Sequence, residues 1–228
     1  MRDTDLDSQL QKMQRDWDER AKENARYFVA TAKKNWSDEE YFHSGRQTVE
    51  GDILPDMQNI CQGRNPKQMK VLEIGCGTGR VTRALADLFG EVYAVDISEE
   101  MVKQARLALA DQPNVHIYQN NGKDLPIPGE LVIDFAFSVI VFQHVTSQAI
   151  VESYVREVYR LLRPGGLFKF QVQGYTALTR EQDDTWLGVP FSEKDAEEMA
   201  ERCGFELRYR QGVGEQYFWL WYFKREVG

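Results

Sequence analysis

The sequence lacks long apolar runs, paired cysteines and clustered metal-binding side chains. No apolar run approaches the ~20 residues that a membrane-spanning helix needs. The amino terminus, MRDTDLDSQLQ, is polar and acidic, unlike a signal peptide, so we expect a cytoplasmic protein with no membrane partner. The three cysteines are odd in number and scattered, which argues against a disulfide framework. The three histidines are equally dispersed, and we therefore expect no metal.

The chain also has no excess of positive charge. It contains 28 basic and 36 acidic side chains among 228 residues, a formal net charge of -8. Such a balance disfavours long-range attraction to nucleic acid, so we expect no nucleic-acid partner. The length suits one domain with an appendage. We predict a helical N-terminal extension and lid over residues 1–65 and a core domain over residues 66–228, in a monomer or homodimer.

The pattern of apolar residues changes near residue 66. Before it, Leu6, Leu10, Met13 and Trp17 form one stripe of a helix, and the spacing of Ser37 and Glu40 predicts a capping box. After it, strand and helix patterns alternate, which is typical of a parallel sheet. The predicted strands are KVLEIG, EVYAVDI, NVHIYQN, LVIDFAFSVI and GGLFKFQVQ, followed by a C-terminal antiparallel hairpin that turns between Gly212 and Gly214. The helices between them are predicted over Arg80–Phe89, Glu99–Ala110 and Gln148–Leu162.

The stretch VLEIGCGTGR places three glycines directly behind a buried strand. Gly75, Gly77 and Gly79 let the backbone turn sharply and approach a ligand without a Cβ in the way. A glycine loop alone is a weak signal, because dinucleotide-binding proteins use one too. Here Arg80 occupies the position where the dinucleotide fingerprint has a glycine or alanine, and Glu73 in the strand suits a ligand with an ammonium group. We therefore favour a ligand other than a dinucleotide.

Asp96 ends the next predicted strand. A carboxylate at this place can accept hydrogen bonds from both hydroxyls of a ribose, and Ile97 can pack on a purine. The alternative is that Asp96 only caps the helix that begins near Ser98.

Five segments resemble the successive motifs of class I S-adenosylmethionine-dependent methyltransferases. They are VLEIGCGTGR, VYAVDIS, NNGKDLPIP, IDFAFSVIVFQHV and LLRPGGLF, which together cover residues 70–173. The resemblance implies an α/β, Rossmann-like fold with helices on both faces of a seven-stranded mixed sheet. The implied strand order is 3-2-1-4-5-7-6, with strand seven antiparallel. It also implies S-adenosylmethionine as the cofactor and S-adenosylhomocysteine as the product.

The resemblance implies roles for particular residues. The methionine part lies along Gly75, Cys76 and Gly77, Asp96 binds the ribose, and Ile97 and Met101 touch the adenine. Asn121 stands where relatives usually have an acidic residue for the adenine amino group. Its carbonyl can accept the same hydrogen bond, and the Gly122 N–H can serve a ring nitrogen. Arg46 is placed to pair with the methionine carboxylate.

The acceptor pocket is expected beyond the fourth strand, where Phe142, Gln143 and His144 follow each other. Methyl transfer from a sulfonium needs alignment and exclusion of water, and a base only if the nucleophile arrives protonated. The ordinary pKa of histidine suits that task, so His144 is our candidate base. The alternative is that His144 satisfies nearby carbonyl groups.

Aromatic side chains from two other segments are candidates for acceptor contacts. Tyr41 and Phe42 belong to a segment that resembles the N-terminal lid of small-molecule methyltransferases, and aromatic faces attract a sulfonium. Tyr175 and Trp186 lie on a long loop over residues 175–192, and loops of this length are often functional. The alternative for all four is packing alone.

These observations predict methyl transfer from S-adenosylmethionine to an oxygen or nitrogen of a small soluble acceptor. Two alternatives stay open: a protein methyltransferase, and a binding module for the cofactor that has lost catalysis. A nucleotide-dependent reductase is disfavoured by Glu73 and Arg80.

Overall fold

A computed structural model of the chain describes residues 3–177 and 184–225. Its helices are α1 (Asp3–Val29), α2 (Asp38–Asp52), α3 (Met57–Cys61), α4 (Arg80–Leu88), α5 (Glu99–Ala108), α6 (Gln148–Leu161) and α7 (Glu193–Arg202). Its strands are β1 (Lys70–Ile74), β2 (Glu91–Asp96), β3 (Val115–Gln119), β4 (Ile133–Ser138), β5 (Leu162–Val172), β6 (Phe205–Gln211) and β7 (Phe218–Lys224). Within these described stretches, no helix is long and apolar enough to cross a membrane.

The seven strands follow the order β3-β2-β1-β4-β5-β7-β6. The pairs β1–β2, β2–β3 and β4–β5 are parallel, whereas β7 runs antiparallel to both β5 and β6. In register, Ile74 at the end of β1 pairs with Val95, and Asp96 at the end of β2 pairs with Gln119. The sequence-based prediction of a mixed sheet with an antiparallel seventh strand is confirmed, and the three strands β1–β3 end at one edge.

The bounds of β4 and β5 differ most from the prediction, whereas those of β1, β2 and β3 agree to within one residue. β4 was expected to continue to Ile140 but ends at Ser138, since Ile140 adopts φ +55° and leaves the extended conformation. β5 was expected to begin at Gly165 but begins at Leu162, directly after α6. Its first residues pair with β4 across an irregularity between Ile133 and Phe135, which lets the RPGG segment remain in the strand.

The chain forms two compact units. One comprises Gln14–Asn120, and the other combines Met1–Met13 with Asn121–Gly228. The predicted division at residue 65 stays a prediction. The core of the first unit includes a buried apolar cluster around β2, β3 and α5: Cys76, Ala94, Val102, Ala105, Leu109 and Ile117. The core of the second is rich in aromatic rings that contact one another: Phe142, Phe168, Phe170, Phe205 and Tyr222.

Local signals explain where the helices begin. Ser37 and Glu40 form the predicted capping box at the start of α2, and Ser192 with Asp195 forms another at the start of α7. Helix α1 bends at Asn24, whose backbone is not helical. The Asn24 side-chain oxygen accepts the Tyr27 N–H at 3.2 Å, so that Asn24 acts as a cap inside the helix and a new short helical segment begins there.

Helix α2 crosses α4 at very short range. The Arg80 guanidinium, buried at the start of α4, donates to the Ser44 carbonyl oxygen at 3.0 Å and to the Thr48 hydroxyl at 3.1 Å. A Cβ at Gly45 would overlap the backbone carbonyl of Arg80. Gly45 therefore sets the distance between the two helices, and Arg80 links them.

We predict that Gly45→Ala lowers the free energy of unfolding by ~1–3 kcal/mol, because the added methyl forces α2 away from α4. Gly51→Ala is the matched control on the same helix, since a Cβ there meets no atom within 4 Å. The control is expected to be stabilised by ~0.5–1 kcal/mol through helix propensity. Urea unfolding followed by circular dichroism measures both changes, and equal effects of the two substitutions would contradict the role of Gly45.

Candidate functional site

The glycine loop, residues 75–79, turns at the carboxyl end of β1. Gly75, Gly77 and Gly79 have φ values of +74°, +53° and +85°, a region that side chains with a Cβ seldom adopt. The N–H groups of Gly75 and Cys76 donate to the Val95 carbonyl at 2.7 and 3.0 Å. The Gly79 N–H then donates to the Cys76 carbonyl at 2.9 Å and closes the turn. The loop is thus fixed to the end of β2.

Asp96 connects this loop to the start of α5. Its Oδ2 accepts the Gly77 N–H at 2.8 Å, and its Oδ1 accepts the Ser98 N–H at 2.9 Å. Burial raises the pKa of Asp96 to about 6 and the charge of Asp18 acts in the same direction, although backbone N–H groups, chiefly those of Ser98 and Gly77, lower it. A carboxylate oxygen has two acceptor positions, so each oxygen retains one for a ligand. The hydrogen bond from Ser98 is expected if Asp96 caps the start of α5, which was the alternative interpretation of this residue. The hydrogen bond from Gly77 was not predicted from the sequence.

Glu73 is a second buried carboxyl group beside the loop. Its Oε2 accepts the Thr82 hydroxyl at 2.6 Å, which joins β1 to α4. Burial raises the pKa of Glu73 to about 7, and the negative charge of Asp96 acts in the same direction, against the opposing effects of Thr82 and Arg80. Burial also raises the pKa of the Cys76 thiol well above its usual range. These buried groups at the glycine loop, Glu73, Asp96 and Cys76, therefore disfavour the negatively charged form unless a cation compensates the charge.

Helix α1 adds a residue that the sequence did not single out, Asp18. Its Oδ1 accepts the Ser98 hydroxyl at 2.6 Å and the Glu100 N–H at 3.2 Å. Asp18 therefore satisfies a free N–H group in the first turn of α5. No short motif marks such a partner, because it lies about 80 residues from the helix that it caps.

The same part of α1 covers two predicted cofactor residues. Met101 is buried against Ala21 and Ala25, and a Cβ at Gly77 would lie 2.7 Å from the Val29 side chain. The bend at Asn24 separates Ala21 from Ala25 and Val29 within this covering face. Ile97 is half-buried beside them, and its carbonyl oxygen accepts the Gln119 side chain at 3.3 Å.

The three predicted residues of α2 have different surroundings. Tyr41 is fully buried and its hydroxyl lies 2.6 Å from the Thr78 hydroxyl, in the glycine loop. Burial raises the pKa of Tyr41 to about 12, so it stays protonated. Phe42 packs on the apolar cluster of the first unit with the Arg83 guanidinium over its ring. Arg46 is exposed, with its guanidinium 3.4 Å from the His43 ring.

In the second unit, Asn121 begins a tight turn. Its Oδ1 accepts the N–H groups of Lys123 and Asp124, each at 2.8 Å, and its amide nitrogen donates to the Asp124 carboxylate at 3.2 Å. Gly122 follows with φ +81°. Both acceptor positions of the Asn121 oxygen are thus used by the chain's own turn.

The segment after β4 carries an unusual backbone conformation. A φ of +55° is rare for a β-branched residue such as Ile140. The Gln171 side chain holds it there by accepting the Ile140 N–H at 2.8 Å. A single 3-10 turn, Phe142–His144, follows. Phe142 lies in the aromatic core of the second unit, whereas Gln143 and His144 are buried polar residues.

The predicted acceptor loop docks on this turn. The Gly188 N–H donates to the Gln143 carbonyl at 2.6 Å, and the His144 Nδ1 lies 2.6 Å from the Trp186 carbonyl oxygen. The Trp186 and His144 rings lie 5.1 Å apart, and Trp186 remains partly exposed. Tyr175 is half-exposed at the other end of the loop. Residues 178–183 of this loop lie outside the described residues.

Together, the strand order and the glycine loop at the end of β1 define the class I methyltransferase fold. Comparison with known proteins agrees with this assignment. Residues 72–170 match a family model described as "Methyltransferase domain". The chain belongs to the S-adenosylmethionine-dependent methyltransferases of class I.

Two curated relatives and one solved structure illustrate the range of the family. A probable S-adenosylmethionine-dependent methyltransferase of Mycolicibacterium smegmatis is 31% identical over 164 residues, which cover 71% of this chain and 59% of that protein. The ubiquinone/menaquinone biosynthesis C-methyltransferase UbiE of Vibrio vulnificus is 33% identical over 114 residues, covering 46% and 41% of the two chains. The chain thus spans about half the length of these relatives.

The structure of phosphoethanolamine N-methyltransferase 1 from Haemonchus contortus, in complex with phosphoethanolamine and S-adenosylhomocysteine, superposes with a TM-score of 0.70. It is 16% identical, and the match covers 96% of this chain and 50% of that one. At this identity the likeness shows the shared fold.

The raised pKa of Glu73 predicts how stability depends on pH. A carboxyl group with a raised pKa is still protonated in the folded state at pH values where the unfolded chain has lost the proton. The free energy of unfolding therefore falls as pH rises from about 4.5 to about 7, by up to about 3 kcal/mol for this group.

We predict that Glu73→Gln removes this part of the fall. Urea unfolding at several pH values measures it, with Glu50→Gln on the exposed face of α2 as the control. A Glu73→Gln profile parallel to that of the wild type would contradict the prediction.

Proposed function

We propose that the protein transfers a methyl group from S-adenosylmethionine to an oxygen or nitrogen of a small soluble acceptor by in-line displacement. The observation that carries this proposal is the joint arrangement of the glycine loop and Asp96. The Gly77 N–H holds the carboxylate at the end of β2, and each carboxylate oxygen retains an acceptor position. Two acceptors side by side suit the two neighbouring hydroxyls of a ribose.

The residues around the loop fit the rest of the cofactor. In our proposal the methionine part lies along Gly75, Cys76 and Gly77, with Gly79 starting α4 behind it. The ammonium group of the ligand favours the ionised form of Glu73, which burial alone disfavours. Ile97 and Met101 contact the adenine beside the bound ribose. Binding requires α1 to yield where Val29 approaches Gly77.

Three further cofactor contacts are part of the proposal. Asn121 and Gly122 serve the adenine ring, for which the Asn121 oxygen must exchange one of its turn hydrogen bonds. Arg46 pairs with the methionine carboxylate. Its exposed position beside His43 leaves the side chain able to reorient, since a 3.4 Å contact on the surface is weak.

S-adenosylmethionine supplies a methyl group activated by a sulfonium. The protein then has to orient the acceptor, keep water out and remove a proton where one is present. We assign proton removal to His144. A carbonyl oxygen only accepts hydrogen bonds, so the Trp186 carbonyl fixes the proton on Nδ1 of His144. The basic lone pair is then on Nε2, and the Gln143 amide group 3.3 Å away has to leave it before it can take a proton. Tyr41, Phe42, Phe142, Gln143, Tyr175 and Trp186 are the proposed acceptor contacts.

The names of relatives leave the acceptor class open. UbiE is named a carbon methyltransferase, whereas the Haemonchus enzyme is named a nitrogen methyltransferase. A histidine base beside the acceptor favours oxygen or nitrogen, because these nucleophiles commonly arrive protonated. A protein acceptor and a module without catalysis are the alternatives. In our proposal the protein is cytoplasmic, needs no metal, binds neither nucleic acid nor membrane, and is a monomer or homodimer.

We predict that S-adenosylmethionine and S-adenosylhomocysteine raise the melting temperature and that NADH does not. A ligand at 100 times its Kd stabilises the fold by about 2.7 kcal/mol. Asp96→Asn is expected to abolish this rise in melting temperature. The amide nitrogen of asparagine would face the N–H of Gly77 or Ser98, where an acceptor is needed, and it leaves fewer acceptor positions for the ribose. The control is Asp111→Asn, an exposed carboxylate paired with Arg83. Stabilisation by NADH alone would refute the assignment.

We predict that His144→Ala lowers turnover of a protonated acceptor by ~10²-fold or more, because no base remains to take the proton. Release of S-adenosylhomocysteine across phenols, amines, carboxylates and sugars measures turnover. His116→Ala is the matched control, since that histidine pairs with Glu91 and stacks on Tyr93. Equal turnover in the two variants would remove His144 from the role of base.

A further inference from the structure

Gln143 carries a buried oxygen that nothing in the described part of the chain satisfies. The side chain is 4% exposed, and its Oε1 has no hydrogen-bond partner among the described residues. Its amide nitrogen, in contrast, lies 3.3 Å from Nε2 of His144. A buried acceptor left unpaired is unfavourable, and such groups are rare in folded proteins.

The identity of the unpaired atom follows from the tautomer of His144. The Trp186 carbonyl requires a proton on Nδ1, so the neutral ring has its lone pair on Nε2. The group of Gln143 that faces this lone pair must therefore be the donor, its NH₂ group. This leaves the carbonyl oxygen as the unsatisfied atom. The missing partner is consequently a hydrogen-bond donor.

The main chain of the turn that carries Gln143 is held by its neighbours. The Gly188 N–H donates to the main-chain carbonyl oxygen of Gln143 at 2.6 Å, and a Cβ at Gly188 would meet that same carbonyl group. On one side the Phe142 ring is fixed in the aromatic core, and on the other Val145 accepts the Val189 N–H at 2.8 Å. The turn is thus held along its whole length, which fixes the point from which the Gln143 side chain extends.

We propose that Gln143 Oε1 determines acceptor specificity by accepting a hydrogen bond from an N–H or O–H group of the methyl acceptor. This inference rests on the proposed function, because it presumes an acceptor beside His144. The methyl acceptors that this site would recognise are small molecules that carry a hydrogen-bond donor as well as the nucleophilic lone pair. Examples are an amine with two N–H bonds and a molecule with neighbouring hydroxyls. A site with an unpaired buried acceptor rejects analogues that lack the donor.

The first test needs neither acceptor nor turnover. Nitrogen-15 NMR of the full chain labelled at histidine reports which ring nitrogen of His144 is protonated, and the spectrum of His144→Asn assigns its signals. The expected result at neutral to mildly basic pH is a proton on Nδ1 and none on Nε2. If Nε2 carries the proton instead, the Gln143 oxygen faces it as acceptor and is no longer unpaired. That result would overturn the proposal but would not bear on methyl transfer itself.

The second test compares probe pairs that differ by one hydrogen-bond donor. Ligand-observed NMR, in the presence of S-adenosylhomocysteine, measures binding of catechol against 2-methoxyphenol and of benzylamine against N-methylbenzylamine. The member of at least one pair with the additional donor is expected to bind ~10–100-fold more tightly to the wild type. Gln143→Met should remove the preference, whereas Gln173→Met, whose Oε1 is already paired with the Tyr175 N–H, should keep it. Equal binding within both pairs, including no binding, would overturn the proposal.

Failure of this inference and failure of the proposed function are distinguishable. If S-adenosylmethionine does not stabilise the fold, the proposed function falls, whatever the tautomer of His144. If the cofactor stabilises the fold but the donor preference is absent or survives in Gln143→Met, the methyltransferase assignment stands and the role of Gln143 does not.

Discussion

The hydrogen bond from the Gly77 N–H to Asp96 holds the glycine loop at the end of β1 in shape. It ties a loop whose glycines adopt positive φ to the end of the neighbouring strand, and the bonds to the Val95 carbonyl reinforce the same junction. Because Asp96 also caps α5, movement of the loop would disturb the start of that helix. The loop, the strand end and the helix start are therefore joined as one element.

This arrangement has an electrostatic cost. Glu73 and Asp96 are both buried, and burial raises the pKa of each carboxyl group. Like charge acts in the same direction, from Asp96 on Glu73 and from Asp18 on Asp96. Local hydrogen bonds from Thr82, Ser98 and Gly77 offset part of the cost. A ligand with both an ammonium group and a sulfonium would compensate the rest. In our proposal, the burial of these two carboxyl groups thus lowers stability at the place that binds the cofactor, which is common at functional sites.

The sequence predicted the fold well because the signals that define it are local. Alternating patterns marked the strands, Ser37 and Glu40 marked a helix start, and positions 75–79 marked the loop. What it missed depends on contacts between distant segments: Asp18 under α5, Val29 against Gly77, and the Trp186 carbonyl on His144. No spacing rule encodes such pairs. The boundary of β4 was also wrong, because the Gln171 side chain holds Ile140 in a conformation that its residue type disfavours.

The two interpretations of His144, a base or a partner for a nearby carbonyl, turn out to be compatible. The hydrogen bond to the Trp186 carbonyl is the structural contact that the second interpretation requires. That same bond assigns the ring proton to Nδ1 and leaves Nε2 basic, which the first interpretation requires. The orientation of the Gln143 amide follows from it, and so does the chemical nature of its unpaired oxygen. In our proposal, the Trp186 carbonyl thus bears on both the proton that His144 takes and the donor that Gln143 recognises.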